Sequence, residues 1–143
     1  MKLVSILLLS FSILVLIASF GFYFLFNTQV NSFELYSNVS ISDNAGIGIN
    51  LDSSTLTFGE LGHGGSSLRK VTLTNDYDFP LLIKVNSVGD ISPLLSYESV
   101  KYLPPLSNIS IPITAFSFEE PVGFYEGNIT FKLFRTTNKL FND

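Results

Sequence analysis

Two hydrophobic periods divide this chain. From Leu3 to Phe26 the positions are apolar almost without interruption, and no charge, proline or amide breaks the run. At about 1.5 Å per residue a helix of roughly 24 residues reaches about 36 Å, enough to cross a hydrocarbon core of about 30 Å with some tilt. From Phe33 the period changes to two. Phe33, Leu35, Val39 and Ile41 alternate with Glu34, Tyr36, Asn38 and Ser40, and the pattern returns at Ile47, Ile49 and Leu51. Period-two alternation bounded by Gly, Pro, Asn and Asp is the signature of short half-buried strands.

Further strands are expected at Thr55–Phe58, Leu68–Thr74, Leu81–Asn86, a weaker one at Leu94–Val100, Ile109–Thr114 and Tyr125–Leu133. The stretch Gly59–Ser67 contains four glycines and reads as a loop. Pro112 lacks an N–H for a ladder, so its strand is expected at an edge or at a bulge. No amphipathic helix follows the apolar run. The pattern predicts an all-β, antiparallel, two-sheet sandwich of seven or eight strands preceded by one transmembrane helix. The expected boundaries are an anchor over 1–26, a stalk over 27–32, the sandwich over 33–135 and a frayed tail over 136–143.

Charge fixes the orientation. Beyond the apolar run lie all 12 acidic residues and every basic one except Lys2, so this part is one unit more negative than the chain's formal −4. Such a balance argues against nucleic acid or anionic lipid as the main partner, since both ask for clustered Lys or Arg. With Lys2 before the run and Glu34, Asp43, Asp52 and Glu60 the first charges after it, the positive-inside rule places the N-terminus in the cytoplasm and the domain outside. A cleaved signal peptide would need an apolar core of about 7–15 residues and small residues before the cut. The best site, Ser19-Phe20-Gly21, leaves an aromatic stretch behind it, and a retained anchor in the cell membrane is the favoured reading. There is no cysteine, which excludes disulfides and thiol chemistry.

Two segments carry a family likeness. Phe58-Gly59-Glu60-Leu61 with Gly65, then Val71-Thr72-Leu73-Thr74-Asn75 and Pro80-Leu81-Leu82-Ile83, resembles the opening half of immunoglobulin-like domains of the ASPM/SPD-2/Hydin type. Gly123-Phe124-Tyr125-Glu126-Gly127 resembles the G-x-Y-x-G strand that closes many prokaryotic members. The resemblance implies an immunoglobulin-like sandwich and says little of function, since such domains serve as spacers, adhesion modules and docking platforms. In layout alone, one helix carrying an outward β-sandwich, the chain is also similar to archaeal archaellum stator proteins.

Candidate chemistry is sparse, and no enzyme and no cofactor are expected. His63, the only histidine, sits among glycines with Glu60 as its one nearby acid. Asp76 and Asp78, beside Asn75 on one turn, form a weak calcium candidate, without the spacing of a twelve-residue calcium loop. Asn38, Asn108 and Asn128 each open an Asn-x-Ser/Thr sequon on the polar phase of a strand, where a glycan is tolerated. Phe116, Phe118, Phe124 and Phe134 are the candidates for a partner-binding surface, because aromatics in or beside a loop suggest an interface. Tyr125 is placed to form a tyrosine corner, Asn75 to satisfy turn backbone groups, and Gly127 to admit close approach of the facing sheet. The expected partners are the membrane and a protein of the cell envelope or an appendage, with oligomerisation open. An accessory subunit assembled through its helix is the alternative.

Overall fold

The computed structural model describes residues 2–26, 28–43 and 55–136. Helix α1 spans Lys2–Phe26. Over Val4–Tyr23 none of it is buried against the rest of the chain, and it is long and apolar enough to cross a membrane. The serines do not gather the helix into polar and apolar faces; Ser10 folds its hydroxyl back onto the Leu7 carbonyl at 2.9 Å.

Among the described residues eight strands follow: β1 Gln29–Ile41, β2 Thr55–Leu61, β3 Ser66–Asn75, β4 Leu81–Gly89, β5 Leu95–Tyr97, β6 Val100–Leu103, β7 Ser107–Phe116 and β8 Gly123–Arg135. They form an immunoglobulin-like sandwich of two sheets, ordered β2-β1-β8-β4-β6 and β3-β7-β5. Inward residues of both sheets make one core, in which Phe131, Ile83, Ile129, Ile111 and Ile113 are fully enclosed. Phe33 stacks on Phe131 with ring centroids 4.9 Å apart. The alternation read from β1 and β8 holds: Phe33 pairs with Phe131, Leu35 with Ile129 and Val39 with Tyr125. Ser37 falls on this inward phase opposite Gly127, and donates its hydroxyl to the Gly127 carbonyl at 3.2 Å.

Several boundaries differ from the sequence pattern for local reasons. Gln29–Ser32, expected as stalk, are the first residues of β1. A bulge between Gln29 and Asn31 shifts the phase there, so the alternation conceals a ladder that runs on to Phe134. A second irregularity, where Asn38 and Ser40 face Thr57 and Glu60, is taken up by Gly59 at φ 86°, and β2 continues through it to Leu61. The glycine-rich loop is thereby reduced to Gly62–Gly65. The β1–β2 ladder is parallel, the one exception to antiparallel pairing among the described residues. The weak strand at Leu94–Val100 divides: a 3-10 turn at Ser92–Leu94 leads to β5 in the small sheet, and β6 joins the large one. Strand β7 is central rather than an edge, but β5 pairs with it only from Ala115 to Ile113, so Pro112 lies just beyond that ladder. The strand expected around Ile47–Leu51 and the tail from residue 137 lie outside the described residues.

Side-chain hydrogen bonds close the two ends. Tyr125 donates its hydroxyl to the Pro121 carbonyl at 2.8 Å, completing the tyrosine corner. Asn75, 1% exposed, donates to the Phe79 and Pro104 carbonyls at 2.9 and 2.8 Å and accepts the Tyr77 N–H at 3.1 Å. On the open side, Arg69 of β3 donates to the Thr57 carbonyl of β2 at 2.8 Å and so links the two sheets. Gly127 is constrained differently from expectation. A Cβ there would lie 2.1 Å from the Val88 carbonyl oxygen and 3.1 Å from the Gly89 Cα, so the close neighbour is β4 of the same sheet, not the facing sheet.

Candidate functional site

Direction along the sandwich organises the surface. Strand β1 leaves the helix at Gln29 and climbs to Ile41, a rise of about 40 Å at about 3.3 Å per residue. The far end therefore holds the end of β1, the Gly62–Gly65 turn and the β7–β8 loop, residues 117–122. These loops are joined by backbone: Gly64 N–H donates to the Ser117 carbonyl at 2.7 Å and Ser117 N–H to the Gly65 carbonyl at 2.9 Å. Ser117 is fully buried in this junction, and its hydroxyl has no hydrogen-bond partner among the described residues. The Glu120 carboxylate accepts the Phe118 N–H at 2.6 Å and fixes the loop's first turn.

The expected aromatic candidates separate into two places. Phe118 and Phe124 stand at the far end, 66% and 61% exposed, with Val122 at 56% beside them in the chain. Phe116 is half-buried and stacks on Phe118 with centroids 5.7 Å apart. Phe134 is not part of this group. It lies ten residues along β8, opposite Gln29, half-buried under the Lys84 ammonium, which sits 5.0 Å from its ring centroid. Sharing a strand phase put Phe124 and Phe134 on one face, but about 33 Å apart along it.

Acidic groups share this end with the aromatics: Asp43 follows β1, Glu60 is near the end of β2, and Glu119 and Glu120 lie in the β7–β8 loop. His63 Nε2 lies 3.4 Å from the Asp43 carboxylate, a partner twenty residues away in sequence that spacing does not reveal. Both side chains are open to water, at 46% and 75%, which screens the pair. Lower on the outer face of the large sheet, Tyr36 donates its hydroxyl to the Glu126 carboxylate, and that hydrogen bond raises the phenol above its ordinary value.

Among the described residues, no three His, Asp or Glu side chains gather in a way that could hold a metal ion. Asp76 and Asp78 are exposed on the β3–β4 turn, and Asn75, expected beside them as a third oxygen donor, has its amide turned inward onto backbone groups. Of the three sequon asparagines, Asn108 is exposed, whereas Asn38 and Asn128 are half-buried between paired strands. The surface grooves are open: one of about 490 Å³ lies at the helix-proximal end and one of about 540 Å³ between β2 and β3.

No protein-family model matches the sequence. No characterised protein matches it either. Two solved structures are similar at a low level. The DaaE adhesin has 12% identity and a TM-score of 0.37, with 73% of this chain and 97% of the adhesin chain covered. The DraE adhesin, solved in complex with chloramphenicol succinate, has 13% identity and a TM-score of 0.35, covering 76% and 97%. The chain is accordingly assigned by fold alone, as an immunoglobulin-like two-sheet sandwich of eight described strands behind one apolar helix.

Proposed function

We propose that this protein is a non-enzymatic, membrane-anchored binding module, with its N-terminus in the cytoplasm and its sandwich outside the cell. The observation that carries the reading is the exposed group Phe118, Val122 and Phe124 at the end of the sandwich farthest from the helix. Exposed large apolar side chains in one place, rimmed by polar residues, mark interaction surfaces. Asp43, Glu60, Glu119 and Glu120 at the same end favour a partner with an apolar centre and a basic rim. The partner class that suits this position is another envelope or appendage protein, in the manner of an archaellum or pilus stator. Support for that finer assignment is the layout of one helix and one outward sandwich.

The anchoring part rests on α1. A helix apolar on all sides and unburied in its own chain is stable in an apolar medium. Ser5, Ser12 and Ser19 recur every seven positions along it and favour a second reading, in which the helix itself packs into a membrane complex.

Affinity capture from the native membrane separates the two. With α1 replaced by an unrelated apolar helix, retained partners support binding by the sandwich. Partners lost with the helix, yet kept in a Phe118→Ser/Phe124→Ser variant, support helix-led assembly and contradict the proposal.

A further inference from the structure

Three of the basic residues that the sequence scatters are brought together by the fold, at the end opposite the aromatic tip. Lys84 of β4 and Lys132 of β8 are direct cross-strand partners on the outer face of the large sheet, and both are exposed. Arg135, also exposed, ends the same strand, with its guanidinium 4.4 Å from the Phe79 ring centroid. The row of the sheet nearer the helix consists of Tyr102, Leu82, Phe134 and Gln29, successive register partners across β6, β4, β8 and β1. Aromatic and aliphatic side chains with ammonium groups just beyond them are the arrangement of a membrane interface, where the rings lie at headgroup level and lysines reach phosphate.

Two like charges placed opposite one another in a ladder destabilise it unless an anion is shared. Among the described residues the ion pairs join His63 to Asp43 and Lys101 to Glu98, and neither uses this cluster. Among the described residues, the acids close in register or turn are Glu34, opposite Thr130 on β1, Glu98, two positions before Lys84's partner Val100 and paired with Lys101, and Asp76 and Asp78 on the β3–β4 turn. Chain length decides what lies in front. Gln29 is three positions beyond Phe26, so at most about 11 Å separates it from the end of α1. Phe134 is its ladder partner.

We infer that the helix-proximal end of the large sheet seats on the membrane surface, with Lys84, Lys132 and Arg135 contacting lipid phosphates and Phe134, Leu82 and Tyr102 in the headgroup layer. This rests on the reading of α1 as a membrane anchor. The seat fixes the tilt of the sandwich and so the height of its tip.

The full chain, free of cysteine, is labelled with a nitroxide at Asn86→Cys, on the same face above Lys84, or at Asn108→Cys, on the other sheet, and reconstituted into vesicles. One set is phosphatidylcholine and the other includes about a third phosphatidylglycerol, which strengthens the basic attraction. Expected are protection of the Asn86 label from a water-soluble relaxation agent, greater in the anionic vesicles, and an accessible Asn108 label. Lys84→Gln/Lys132→Gln/Arg135→Gln should abolish that protection while the chain keeps its β-sheet circular dichroism spectrum and still floats with the vesicles. Equal accessibility of both labels in a chain that floats with the vesicles overturns the seat and leaves the anchor standing. Failure to float overturns both. Protection of the Asn86 label only after a membrane-protein extract is added would assign the surface to a protein and overturn the lipid assignment.

Discussion

Gly89 and Gly127 face each other across the β4–β8 ladder so closely that neither admits a Cβ. One on Gly89 would lie 2.6 Å from the Gly127 Cα, and one on Gly127 3.1 Å from the Gly89 Cα and 2.1 Å from the Val88 carbonyl oxygen. Gly89 adds a backbone requirement, at φ 101°. The pair lets β4 turn over β8 into the segment that carries Ile91 to the core, where it is fully buried.

Gly127→Ala should therefore destabilise by about 1–3 kcal/mol, and Gly127→Val by more, because backbone and not a flexible side chain must give way. Chemical denaturation of the purified protein measures this. An unchanged midpoint for the alanine variant would show that the ladder relaxes there without cost.

Asn75 is a second point of concentrated dependence. Removing its side chain leaves the Phe79 carbonyl and the Tyr77 N–H without this partner at the closed end of the sandwich, while the Pro104 carbonyl keeps the Ser107 hydroxyl at 2.8 Å. Each buried group left unpaired costs about 1–3 kcal/mol. Asn75→Ala should lower stability by about 2 kcal/mol or more, whereas Asp76→Ala, at an exposed position, should change it by less than about 0.5 kcal/mol. Equal effects of the two in thermal melts would contradict the account.

Tyr36 gives a pH dependence of defined sign. Its hydrogen bond to Glu126 raises the phenol above 10.0, so the folded state holds that proton more tightly than the unfolded chain does. The contribution is complete below the unfolded value and is lost as the pH rises through the folded one. Alkaline denaturation should thus separate the wild type from Tyr36→Phe: the stability gap between them narrows as pH rises past about 10. A gap independent of pH would contradict the assignment.

Local signals made most of the fold legible in sequence. The apolar run, the alternation in β1 and β8 and the tyrosine corner each act within a few residues of themselves, and Asn75 does so toward Phe79 and Tyr77, though its bond to Pro104 crosses the fold. What pattern did not show was pairing. The bulges near Val30 and at Gly59 shift phase without changing composition, so the starts and ends of β1 and β2 were displaced. The split of Leu94–Val100 between two sheets depends on which neighbours are available. The same limit applies to the surface. Phe124 and Phe134 look alike in phase yet stand at opposite ends, and Lys84, Lys132 and His63 acquire their neighbours only through ladders and loops distant in sequence.

The central claim is that the helix-distant tip meets a protein partner while the helix holds the membrane. Site-specific photocrosslinking in the native membrane tests it most directly, with a benzophenone side chain at Phe118 and, as a control, at Asn108 on the flank of the small sheet. The account predicts a discrete protein adduct from Phe118 and none from Asn108. An adduct from a helix position such as Ser12, with none from Phe118, would contradict it.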